Sequence, residues 1–458
     1  MIPHPIRATL LCFALTLSAC VAPPHPEAAR AVATDFVLPP ARNFGAATVT
    51  PPQRSNADMA RDFLDLTFQL ENGRSIAVFS RFEEPVTVRM TGSIPATAAN
   101  DLARLLGRLR SEAGISIRQV SSGDAAITIE FMPRQKMQRY VPRAACFVVP
   151  RVGSWKEYLS ARRSDLDWTT LSRRDRAAVF VPNDTSPQEI RDCLHEELAQ
   201  ALGPLNDLYR LPDSVFNDDN IHAVLTGFDM LMLRTHYAPE LASGMTPGAV
   251  SLLLPGILDR LNPRGRGGGS LPPDVTPREY AAAIDTALGP GASATRRRLA
   301  AKTAVDICMA RNWQDGRAGF AWMAVGRLAL GREPESALQA FTQASAIFHN
   351  SPYLGLHAAH SDMHLATFAL ADGNAAEAIR LTNRAMPAAA AAQNASLLAS
   401  LMMVKAEALA LSGRASEAHQ VRLDSLGWAR YGFGSDAEVR KRMLGIATLA
   451  SAQRTRLQ

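Results

Sequence analysis

One stretch of this 458-residue chain gathers side chains able to do chemistry at helical spacing: Cys193-Leu-His195-Glu196-Glu197-Leu-Ala-Gln200-Ala-Leu-Gly203-Pro-Leu-Asn206-Asp207. A helix that holds a catalytic metal presents two imidazoles four residues apart, so that both leave one face. A glutamate beside the first activates water, and a third ligand often follows a glycine turn. Counted from His195, Glu196 takes the base position but Ala199 falls where the second ligand should be. Counted from Glu196, Glu197 is the base, Gln200 the second ligand, Gly203 the turn and Asn206 the third ligand. None of these three ligand positions is histidine, and carboxylate and amide oxygens suit calcium, magnesium or manganese better than zinc. His195 can still meet a metal together with Glu196, Asp207 or His222. The same residues also admit a plain reading, with Glu197 and Gln200 a polar helix face and Asn206-Asp207 the cap that ends it.

The elements that must position this helix follow from apolar periodicity. Met59 to Glu71 and Thr97 to Ala113 read as amphipathic helices, while Val86 to Thr91 and Ala125 to Phe131 alternate as strands. Ala145 to Val149 and Ala177 to Pro182 are short, β-branched runs expected as buried strands. Asn183-Asp-Thr-Ser-Pro then turns into the helix, with Asp184, Thr185 or Ser186 as its cap and Pro187 in its first turn.

The combination His195-Glu196-Glu197-Leu-Ala-Gln200, Gly203, Asn206-Asp207 and Ser214-Val-Phe-Asn-Asp218 resembles the proteobacterial lipoprotein family catalogued as domain of unknown function 2927, over roughly residues 58 to 262. That family is grouped by similarity with the zincin metallopeptidases, whose layout is strands and a helix leading to a metal-binding helix. The resemblance implies an α+β zincin-like domain. Ser243-Gly244-Met245 is similar to the methionine turn beneath some zincin sites.

The first residues carry Arg7, an apolar run from Ala8 to Leu17 and small residues before Cys20, the order of a secretory signal too short to span a bilayer. Leu17-Ser18-Ala19-Cys20 resembles a bacterial lipobox. The expectation is a signal peptide over 1–19, lipid on Cys20, and a body facing the periplasm, on the outer membrane because Val21 rather than Asp follows the cysteine. Residues 20–57, Pro- and Ala-rich, are expected to form a disordered tether. Five cysteines are present. In an oxidising compartment Cys146 and Cys193, which flank the candidate helix, are the expected disulfide, and Cys308 is expected as a buried apolar side chain.

The net charge of +6 comes from dispersed arginine without interleaved aromatics, which excludes a nucleic-acid groove. Phosphate-loop, dinucleotide and nucleophile-elbow motifs are absent. Gly265 to Ser270 reads as part of a linker and helix over 263–295. Beyond it, residues 296–458 repeat a helix-turn-helix unit whose aligned alanines, Ala337, Ala378 and Ala418, lie 41 and 40 residues apart and resemble tetratricopeptide repeats with lengthened helices.

The reading is thus an α+β zincin-like domain followed by an all-α helical-repeat domain. Two functions compete. One is a lipid-anchored envelope scaffold whose altered site holds a peptide or cell-wall component while the repeats recruit a protein partner. The other is a metal-dependent peptidase with Glu197 as base, His195 nearby, and Glu196, Gln200, Asn206 and Asp207 as ligands. The cofactor is accordingly a single divalent metal or none.

Overall fold

The computed structural model describes residues 38–47, 50–52, 54–269 and 274–454. The expected signal peptide, Cys20 and most of the expected tether lie outside the described residues. An α/β region with a five-stranded mixed sheet comes first, and a helix-rich region follows.

The α/β region opens with α1 (Asn56–Phe68), capped by Ser55, whose hydroxyl accepts the Asp58 N–H at 3.1 Å. Met59, Phe63 and Leu66, spaced by four and three, leave one face and are fully buried. Strand β1 (Val86–Gly92), α2 (Ala98–Ser111), β2 (Ile117–Gln119) and β3 (Ile127–Met132) follow. After the short α3 (Arg134–Gln138) come β4 (Phe147–Pro150), the short α4 (Trp155–Ser160) and β5 (Ala177–Pro182). The strand order is β2-β1-β3-β5-β4. All neighbours run parallel except the edge strand β4, which pairs antiparallel with β5 through Val148 opposite Val179. Every residue of β5 is buried, as expected of a central strand covered on both faces. The chain leaves β5 directly into α5 (Pro187–Leu202), the helix that carries the candidate residues, and continues through α6 (Gly227–His236) and α7 (Pro247–Leu261).

The second region runs from α8 (Arg278–Leu288) and α9 (Ala294–Ala310) through three antiparallel hairpins. These are α10 (Gly316–Ala329) with α11 (Pro334–His349), α12 (Gly355–Ala371) with α13 (Ala375–Ala391), and α14 (Ala395–Leu411) with α15 (Ala415–Phe433); α16 (Asp436–Arg454) closes the stack. Each hairpin turns on a glycine in the left-handed region, Gly331, Gly373 and Gly413, with φ of 78°, 77° and 79°. A β-carbon is strained there, which explains the recurring glycine. Ala337, Ala378 and Ala418, the aligned small residues, are buried where the paired helices touch.

Residues 38–47 correct the expectation of a free tether. Leu38 is buried in the core formed by the last helices, Phe44 stacks on Trp428 with ring centroids 4.4 Å apart, and the Arg42 N–H donates to Gly427 O. Arg104 on α2 donates to Phe44 O, so the segment straps α2 to α15. Two apolar side chains are enough to dock a stretch whose average composition reads as linker. No described helix is long and apolar enough to cross a membrane.

Candidate functional site

Helix α5 owes its placement to both ends. Ser186 is its cap, accepting the Glu189 N–H at 3.2 Å, and Pro187 occupies the first turn. At the other end the buried Arg174 donates to the carbonyls of Gln200, Ala201 and Gly203 at 2.7, 2.8 and 2.6 Å. These carbonyls have no helical partner, and a cation there also suits the helix dipole. Arg174 was not marked by any sequence pattern. Gly203 ends the helix because a β-carbon would come within 3.0 Å of the His236 ring. The Cys146–Cys193 disulfide is formed and ties the approach to β4 to the middle of α5. Cys308 is free and buried, as its helical surroundings imply.

Residues on α5 separate by the 100° turn of a helix. Glu196, Glu197 and Gln200 line a cleft of about 660 Å³ together with Asp207, Asp218 and Glu71, and with Cys146 and Trp168 in its wall. Glu197 and Gln200 are buried at its base, while Glu71 and Asp218 are exposed at its rim. His195 lies on another face. Its Nδ1 accepts the Leu225 N–H at 3.2 Å, and the ring borders a different cavity, beside Arg191 and Arg108. Asn206 is also outside the cleft, its amide donating to Asp65 O at 3.0 Å. His222 sits against His357 and Pro212 O, remote from both. Ser243-Gly244-Met245 pairs with the segment at Phe79 to Glu83, and none of the three lines the cleft. Of the sequence candidates, therefore, Glu196, Glu197, Gln200 and Asp207 come together, and His195 and Asn206 do not. Glu71 has no local signal, because it follows α1 by three residues and reaches the cleft only through the tertiary fold. Asp218 was read only through the resemblance carried by Ser214 to Asp218, and it has no spacing relation to the helix.

The electrostatics of the cleft are unusual for being one-sided. Desolvation holds the carboxyls of Glu197 and Asp207 well above their ordinary range, and repulsion from Glu196 and Glu71 pushes both further in the same direction. Burial raises Glu196 to about 8, with Glu71, Asp192 and Asp218 adding to the effect. Asp218 rises to about 6, and Glu71 is raised while hydrogen-bonded to Asp207. Two carboxyls in contact disfavour being ionised together, which pushes in the same direction as their burial. Arg143 borders the cleft, but its guanidinium is paired with Asp285 at 3.0 Å, outward. Two buried oxygens, Glu197 Oε2 and Asp207 Oδ1, have no hydrogen-bond partner. Each costs on the order of 1 to 3 kcal/mol unless something supplies a donor or a positive charge.

A zinc centre of the imidazole kind does not fit these residues. No histidine lines the cleft, the second and third positions counted along the sequence are an amide and a residue turned away, and among the described residues no three His, Cys, Asp or Glu side chains are grouped to hold a metal ion. What the arrangement can do is accept positive charge and hydrogen-bond donors at an oxygen-rich wall.

The fold and cleft define an α/β domain with an acidic, partly buried site on the helix that follows its central strand. Residues 56–256 match the family model described as Protein of unknown function (DUF2927), so this domain of unknown function accounts for the sheet and for the cleft-bearing helix. No curated protein and no solved structure matches the chain.

Proposed function

We propose that the protein is a lipid-anchored, periplasm-facing binding protein in which a zincin-like domain has lost its zinc chemistry and uses the altered site to hold the cationic part of a peptide or cell-wall component. The observation that carries this reading is the convergence of five carboxyl side chains on one cleft, with no arginine among the charges that act on Glu196, Glu197, Asp207 or Asp218 and two buried oxygens left unpaired. The ammonium or guanidinium of a ligand supplies both the charge and the donors that these oxygens need. The zincin-like assignment draws on the element order, strands and a helix leading to the site helix, and on Glu197 standing where such a helix carries its base. The stacked hairpins beyond residue 296 are read as tetratricopeptide-like repeats that recruit an envelope protein.

Titration of the purified full chain with tetralysine, followed by calorimetry, tests the reading. Binding that is lost in Glu197→Gln and Asp207→Asn supports it; equal binding by wild type and both variants refutes it. The second reading, a peptidase using a hard divalent ion, is favoured by the all-oxygen donor set. Stoichiometric metal by elemental analysis, with peptide cleavage abolished by chelation, would establish it in place of the first.

A further inference from the structure

Every residue that lines the cleft lies within the matched span 56–256, yet part of its rim is held from outside that span. Asp218 stands at its rim in a tight turn in which the Asn220 N–H donates to Asn217 O, and Asn220 adopts the left-handed conformation with φ of 55°. The two neighbours of Asp218 point the other way and are buried. Asn217 donates to Leu211 O at 2.6 Å and to Asp219 Oδ2 at 2.8 Å; Asp219 Oδ1 accepts the Ile221 N–H at 3.0 Å. Asp219 Oδ2 also meets His357 Nε2 at 2.8 Å, and both side chains are almost fully enclosed. His357 belongs to α12, 138 residues away in the helical region.

The same segment is part of the helical region's own core. Tyr209 and Ile221 cluster with Tyr280, Ile284 and Phe320, and Tyr209 meets Tyr280 edge-on with centroids 5.3 Å apart. The Tyr209 hydroxyl donates to Asp218. Two side chains seated in the second region thus grip the turn from both sides, one by packing and one by a buried ion-pair geometry. Arg143, at the same rim, is held outward by Asp285 of α8.

We infer that His357 of the helical region is a positioning residue for the acidic cleft: by holding Asp219 it fixes the turn that presents Asp218 at the rim, so that the site is assembled by both regions. The consequence for ligand binding rests on the cleft reading above, whereas the consequence for the position of Asp218 does not. An occupant of the hairpin stack that shifts α12 would change the cleft through this contact.

The test uses the full chain and two readouts. His357→Leu is expected to weaken tetralysine binding about tenfold, the size of effect found between coupled neighbours. His357→Gln, whose amide can reach Asp219, is expected to restore most of it. A crystal structure of His357→Leu is expected to show Asp218 out of contact with Tyr209. Should that variant fail to fold, His357→Asn, too short to reach Asp219, replaces it. Unchanged binding with Asp218 still in place, even at a lowered melting temperature, overturns the inference and leaves His357 a purely structural residue. Failure of the wild type to bind tetralysine removes the cleft reading alone, and the position of Asp218 in the variant structure then decides the inference.

Discussion

Two groups of carboxylates on either side of α1 are treated in opposite ways. Asp62, on the helix itself, is 4% exposed and meets Arg54 and Arg210, each at 2.5 Å, while Arg210 also holds Asp65. Burial leaves the Asp62 carboxyl raised on balance, although its three arginine neighbours pull against that rise. In the cleft, burial acts with like charges, and every carboxyl from Glu196 to Asp218 is raised without an arginine opposing it. A chain rich in arginine could have neutralised both groups. That it neutralises only one sets a cluster paired within the fold apart from one that, on the function proposed above, takes its partner from outside.

The comparison can be broken most forcefully at Asp62. Asp62→Ala leaves Arg54 and Arg210 facing each other without their shared acceptor and should cost about 3 to 5 kcal/mol in urea denaturation. Removing the disulfide through Cys146→Ser with Cys193→Ser should cost about 2 to 4 kcal/mol, and because it frees the cleft wall, tetralysine affinity should fall with stability. A carboxyl in the cleft should behave in the reverse sense. Glu197→Gln is expected to stabilise the ligand-free protein by about 1 to 3 kcal/mol, since it removes a desolvated, repelled acid, and to reduce binding in the same experiment. Destabilisation by Glu197→Gln would make the two clusters alike and the cleft structural.

The remaining effect is in pH dependence. Glu196 keeps its proton up to about pH 8 when folded but sheds it near pH 4.5 when unfolded. Between these values the folded state binds the extra proton, so this group's stabilisation is present at the acid end and is lost as the pH rises to 8. Glu196→Gln cancels that slope. The variant should gain on wild type by about 1 kcal/mol for each pH unit between pH 5 and pH 8, read as the difference between two urea midpoints; a constant difference across that range would contradict the raised value.

How much of this was legible in the sequence depends on how each contact is made. Glu196, Glu197 and Gln200 could be placed together because helical geometry converts spacing into a shared face. The same logic put Asn206 beside them and misplaced it, since α5 ends at Gly203 and linear spacing stops projecting onto a face there. His195 stands two residues, a turn of 200°, from Glu197 at the base of the cleft, and its ring borders another cavity. The central strands were visible as apolar runs, and the start of the helix as Pro187 behind Asp184, Thr185 or Ser186, of which Ser186 is the cap. The three-residue β2 was not, for so short a strand has no period of its own. Glu71, Arg174 and His357 were invisible for a common reason. Each acts across a tertiary contact made by elements far apart in the chain, and no local pattern encodes which buried carbonyl or carboxylate it will meet.

The strap has a consequence for how the molecule is made. Arg430 donates to Leu38 O across 392 positions, and Arg42 meets Asp424 across 382. Chains are usually built domain by domain from the first residue, at about 5 to 20 residues per second. Here Phe44 can meet Arg104 of α2 early, but Leu38 and Arg42 lack their partners until α15 has been synthesised, roughly 20 to 80 s later at that pace. Contacts of such long range also slow folding itself. The α/β region has most of its own contacts within reach early, whereas the strap around Leu38 is completed only by a helix made almost 400 residues later.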